Sequence, residues 1–214
     1  MRIFKKPEAR MMMGAFNNME SIHQHAYSLL LDTVGMPELE YKAFSEYEAM
    51  ADKHEYVNSI KVSGKDRSSI AKALAVYSGF TEGLQLFSSF IILLNFPRFG
   101  KMKGMGQIIT YSIRDESLHV EAMTQLFREY IQENIDLWTD DFKKEIYQAC
   151  REMVDLEDRF LSLVFNMGDI QGLTKKEMQQ YIRYIADRRL LQLGLKPNYG
   201  VKDNPLGWLD DVLG

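Results

Sequence analysis

Apolar residues recur every three or four positions along most of this 214-residue chain, the spacing that gives an α-helix one core-facing side. Residues 1–35 read as a short basic lead and one long helix, stopped by Gly35-Met36-Pro37. A second helical pattern runs from Glu40 to Val57, with Tyr41, Phe44, Tyr47, Ala51 and Tyr56 as its apolar side, and Ser63-Gly-Lys-Asp66 marks a loop. Arg67 to Phe96 is the most apolar helix, and between Leu74 and Phe96 its only formal charge is Glu82. Pro97 is expected to end it. Phe99-Gly-Lys-Met-Lys-Gly-Met-Gly106 lacks the Gly-Lys-Ser/Thr ending of a phosphate loop and reads as a tight turn. Three further helices are expected at Met105–Gln132, Asp136–Asn166 and Thr174–Leu193, the last opened by a Thr174/Glu177 capping box. Residues 1–195 therefore read as one all-α core and 196–214 as an irregular, Pro- and Gly-punctuated C-terminal segment.

Two helices place polar groups where core residues belong. Stepping from Glu116 by three or four residues meets Met105, Ile109, His119, Met123, Leu126 and Tyr130, so a carboxylate and an imidazole three residues apart share an apolar stripe. Glu20 and His23 repeat the pattern among Phe16, Tyr27, Leu30, Leu31 and Val34. A buried carboxylate is costly without a cationic partner, and a metal ion serves both groups at once. Two inward Glu-x-x-His pairs, with a further carboxylate from each of two other helices, are the pattern of a dinuclear site in a ferritin-like bundle. Glu82 becomes the third inward carboxylate. The mixed nitrogen and oxygen donors suit iron or manganese rather than a thiolate-selected metal.

Tyr27 lies one turn beyond His23. Its phenol is either oxidised beside an O2-activating metal pair or bonded to a metal ligand as an ordinary core tyrosine. Asp115 either holds the far ring nitrogen of a ligand histidine or is a solvated charge. His25 and His54 sit off the stripes and are read as non-ligands.

Composition narrows the field. With 46% hydrophobic and 26% charged residues the chain reads as globular. A net charge of −4 gives no reason to expect nucleic acid or an anionic membrane. The apolar stretch around Glu82 is too diluted by Ser78, Gly79, Thr81, Gly83, Gln85, Ser88 and Ser89 to read as membrane-spanning. Cys150 is the only cysteine, which fits a reducing, cytoplasmic setting.

A family resemblance rests on several of these stretches. They are Met-Glu-Ser-Ile-His-Gln-His-Ala-Tyr (19–27), Glu-Tyr-Lys-Ala-Phe (40–44), Ala-Asp-Lys (51–53) and Phe-Thr-Glu-Gly-Leu-Gln-Leu-Phe (80–87). Arg-Asp-Glu-Ser-Leu-His (114–119), Tyr-Ile-Arg-Tyr-Ile-Ala-Asp-Arg-Arg-Leu (181–190) and Asn-Pro-Leu-Gly-Trp-Leu (204–209) complete them. The chain resembles the small, radical-generating subunit (R2) of class I ribonucleotide reductase. The resemblance implies a dinuclear metal centre, Fe/Fe in the first instance with Mn/Fe and Mn/Mn open, held by Glu20, His23, Glu82, Glu116 and His119. It implies that Tyr27 carries a radical, that Asp115 is the relay aspartate behind His23, and that Leu86, Phe90 and Ser112 border the tyrosine. The radical would be passed to a large subunit that makes deoxyribonucleotides, and the small subunit would be a homodimer. The family's first carboxylate ligand and its tail lie outside the matched stretches. The expectation is a core lacking an upstream helix, its sixth ligand carried either by a separate N-terminal fragment or by a part of the same chain outside this sequence. Tyr27, Asp115 and the Asn-Pro-Leu element argue against a ferroxidase or desaturase, which have no need of the full set.

Overall fold

The computed structural model describes residues 3–35, 42 and 46–213. Its helices are α1 (Pro7–Val34), α2 (Glu48–Ser59), α3 (Arg67–Val76), a π-helical segment (Tyr77–Gln85), α4 (Phe87–Arg98), α5 (Lys103–Glu133), α6 (Asp140–Met167), α7 (Lys175–Gln192) and α8 (Trp208–Leu213). Among the described residues there is no strand. Part of the expected Glu40–Val57 helix lies outside the described residues, and α2 covers its remainder.

Local chemistry sets the ends. Asp66 accepts the backbone N–H groups of Ser68 and Ser69 at 3.0 and 3.2 Å and opens α3. Thr139 caps α6, and Thr174 with Glu177 forms the expected capping box on α7. Each such cap contributes about 1 kcal/mol. Gly35 closes α1 at φ 85°, a left-handed conformation a β-carbon disfavours. Two expectations shift. Pro97 lies inside the last turn of α4, which runs on to Arg98, because its ring packs against Gly106, where a β-carbon would lie 2.3 Å from Pro97 Cγ. Residues 208–213, expected to be irregular, form α8, which buries Leu209.

The α3–π–α4 rod is the axis of the bundle. It packs against α5 on one side and α6 and α7 on the other, and α1 lies along α5. Phe80, Leu84, Ile91, Ile109, Phe127, Ile146, Met153, Met178 and Ile182 are all but inaccessible to solvent. Burial of each contributes roughly 1.5–3 kcal/mol against the unfolded chain. The rod is apolar and long enough to cross a membrane by length and composition, yet 61% of its most apolar window is buried against other helices. It is the bundle's core helix. α1 differs from the expectation of a fully inward stripe: it has no fully buried residue, and Met11, Ile22, Leu29 and Val34 are exposed.

Candidate metal centre

The five expected ligands come from three elements. α1 brings Glu20 and His23, the π-segment brings Glu82, and α5 brings Glu116 and His119. Glu116 and His119 are buried, at 4% and 1% exposure, whereas the Glu20 side chain is 46% exposed because α1 lies at the edge of the bundle. Glu20, Glu116 and His119 offer donor atoms that all lie within 4.8 Å of one another.

Glu116 stands between the two imidazoles and turns one oxygen to each. Its Oε1 is 3.5 Å from His23 Nδ1, and its Oε2 is 3.5 Å from His119 Nδ1. Glu20 does the same with a single oxygen, Oε1, at 3.6 Å from His23 Nδ1 and 3.3 Å from His119 Nδ1. The imidazole centroids are 6.4 Å apart. The two carboxylates thus lie between the two histidines.

The far ring nitrogens are held differently. His23 Nε2 lies 3.3 Å from Asp115 Oδ2, which favours the tautomer with Nδ1 free to accept a metal. Of the two readings of Asp115, the structure therefore has the one that holds a histidine. His119 Nε2 instead meets the thioether of Met19 at 3.4 Å, and Phe16 covers the ring at 4.1 Å between centroids. Neither contact with His119 is marked by a spacing rule, so sequence reasoning missed both.

The electrostatics describe a crowded set of anions. Burial, with the charges of Glu116 and Glu20 added and His119 opposing, pushes Glu82 up to about 7. Burial alone would lower His119, but the close contact and charge of Glu116, with the charges of Glu82 and Glu20 behind it, raise it. Glu82 Oε2, Glu116 Oε2 and His119 Nδ1 are all buried without a hydrogen-bond partner. Such orphans cost about 1–3 kcal/mol each, and a cation among Glu20, Glu116 and His119 would satisfy those on Glu116 and His119. The mixed carboxylate and imidazole donors suit a metal ion bound through nitrogen and oxygen.

Tyr27 is half-buried and donates its hydroxyl to Ser112 Oγ at 2.9 Å, a bond between α1 and α5. Burial raises its pKa, the bond to Ser112 opposes this, and the charges of Glu116 and Glu20 raise it further. Phe90 is buried, whereas Leu86 is 37% exposed and lines a cavity of about 240 Å3 with Met50, Val57 and Phe160. His25 is exposed on α1, and His54 lines that same cavity.

A helical bundle whose helices converge two histidines and several carboxylates defines a ferritin-like protein with a site that could hold metal. Residues 1–205 match the family described as ribonucleotide reductase, small chain, and the chain belongs to that family. It is 41% identical over 229 residues to a ribonucleoside-diphosphate reductase small subunit of Invertebrate iridescent virus 3, covering 100% of this chain but 61% of that relative. A Bacillus halodurans structure described as a class I ribonucleotide reductase superposes with a TM-score of 0.91 at 25% identity, over 99% of this chain and 77% of that one. The ribonucleotide reductase R2 subunit from Clostridium botulinum gives 0.83 at 27% identity, over 91% of this chain and 63% of that one.

Proposed function

We propose that this chain is the radical-generating core of a ribonucleoside-diphosphate reductase small subunit. The observation that supports this best is Glu116 with one oxygen turned to each of two imidazoles, beside orphaned donor atoms on Glu82 and His119. Glu20, His23, Glu82, Glu116 and His119 are the proposed ligands. A bound pair of divalent iron or manganese ions would supply electrons to O2 and so generate an oxidant beside Tyr27.

The chain's own residues do the rest. Glu20 and Glu116 would hold the cations and offset their charge, and the two Nδ1 atoms would supply neutral donors. Asp115 fixes His23 in the tautomer that coordinates, and it begins the path by which an oxidising equivalent leaves the core. Tyr27 is the side chain that would be oxidised, and its bond to Ser112 orients the hydroxyl. A hydroxyl beside that oxygen also makes the surroundings less apolar, which shortens the lifetime of the oxidised tyrosine. The partner is a large catalytic subunit that carries out deoxyribonucleotide synthesis, and the small subunit acts as a homodimer.

Adding Fe(II) and O2 to the purified chain and freezing within seconds tests this by EPR. A tyrosyl signal that disappears in Tyr27→Phe is expected. An identical signal in Tyr27→Phe, or metal uptake with no organic radical, contradicts the reading.

A further inference from the structure

The π-segment carries Glu82 but is not held by its own helix alone. A π-helix is rare, has one extra residue per turn, and leaves carbonyls near its ends without ordinary partners. Two of these carbonyls, both just after Glu82, receive cationic donors from other helices. Arg189 Nε of α7 donates to Gly83 O at 2.8 Å, and Lys53 Nζ of α2 donates to Gln85 O at 3.1 Å.

Each cation is itself held in place. The Arg189 guanidinium lies 5.3 Å over the Phe87 ring and bonds Gln192 Oε1 at 2.9 Å. Lys53 pairs with the fully buried Glu157, whose other oxygen accepts the Ser88 hydroxyl one turn along the rod. Burying a lysine–glutamate pair is expensive and is not a general device for stability. Here it delivers a fixed ammonium to one backbone carbonyl. Gly83 shows how close the other contact is: a β-carbon there would stand 2.7 Å from Arg189 Nε and 2.9 Å from Ser78 O.

We propose that Lys53 and Arg189 form a two-sided clamp that holds the π-segment open and thereby positions the Glu82 carboxylate at the metal centre. They are positioning residues and do not coordinate. Without the clamp the segment relaxes toward ordinary α-helical winding, which turns Glu82 away from Glu116 and His119, whose charges now act on it. The inference rests on the reading of Glu82 as a metal ligand.

The test compares the full chain with Lys53→Met and Arg189→Met by hydrogen–deuterium exchange and by equilibrium dialysis against Mn(II). Exchange of the 77–86 amides is expected to accelerate ~10-fold or more while α5 stays protected. The weaker of two Mn(II) constants is expected to fall ~10-fold, as for other groups that orient ligands, with the tighter one unchanged. Arg189→Lys, which keeps a donor, should restore part of both effects. Unchanged exchange in both variants overturns the clamp, and so does faster exchange with both Mn(II) constants at the wild-type value. If the wild type takes up no Mn(II), the metal reading fails, and the exchange data alone decide whether the clamp exists. Should the Met variants not fold, Arg189→Lys and Lys53→Gln carry the same comparison, and 77–86 amides that exchange in the wild type as fast as loop 61–65 overturn it.

Discussion

The phenol of Tyr27 on α1 donates to the hydroxyl of Ser112 on α5 at 2.9 Å, and this bond ties the edge helix to the bundle beside Glu116. Removing either partner costs about 1 kcal/mol, and removing both costs less than the sum, since neither is then left unpaired. Chemical denaturation of Tyr27→Phe, Ser112→Ala and the double variant measures this. Strict additivity would show that the contact carries no coupling.

Asp115 supports His23 from behind at 3.3 Å. Asp115→Asn removes the anionic acceptor that selects the coordinating tautomer, and metal affinity should fall roughly 10–100-fold with little change in the apoprotein's melting temperature. Isothermal titration with Mn(II) reads the first quantity and circular dichroism the second. An equal loss in both would make Asp115 a structural residue.

Metal-free protein should show the strain of its carboxylates. The Glu82 carboxyl, at 4.5 when unperturbed, is pushed up to about 7 by burial and by the Glu116 charge. The folded state therefore holds this proton more tightly than the unfolded state, so stability falls as pH rises from 4.5 through 7, and the loss is complete above that. Glu82→Gln removes the loss, on the order of 1–3 kcal/mol, and should raise the metal-free melting temperature at pH 8 by several degrees, with no gain near pH 4.5. A gain independent of pH would point to packing instead.

The i, i+3 spacing of Glu20/His23 and Glu116/His119 was legible because a helix turns such pairs to one side, and the helix ends were legible wherever a cap or a glycine stood. The unusual geometry around Glu82 was not. Its sequence, Ser-Gly-Phe-Thr-Glu-Gly, shows only that small residues interrupt an apolar run. The π-winding depends on donors arriving from Lys53 and Arg189, more than thirty and one hundred residues away. The exposure of Glu20 was equally hidden, since periodicity reports which face of α1 is apolar and not what covers it.

Glu157 is another buried acid, and its partner Lys53 anchors α2 to the rod and to α6. Glu157→Ala leaves that ammonium facing a cavity and should cost about 3–5 kcal/mol. Urea denaturation of Glu157→Ala against Glu157→Gln measures it. A loss below 1 kcal/mol for the alanine variant would mean that Lys53 escapes to solvent.

Cys150 is fully buried, and burial first, then the charge of Asp187, pushes its thiol up to about 12. Maleimide at pH 8 should leave it unmodified in the native state and label it completely in denaturant. Fast native labelling would show that the α6 core opens.

The most direct test is Mn(II) titration followed by EPR, comparing the wild-type chain with Glu116→Ala. The six-line signal of free Mn(II) should be suppressed until close to two equivalents are bound, with spin-coupled features from ions that share a carboxylate. Glu116→Ala should lose both the coupling and at least one equivalent. Uncoupled binding of the same amount of Mn(II) by both proteins would contradict a dinuclear centre bridged by Glu116.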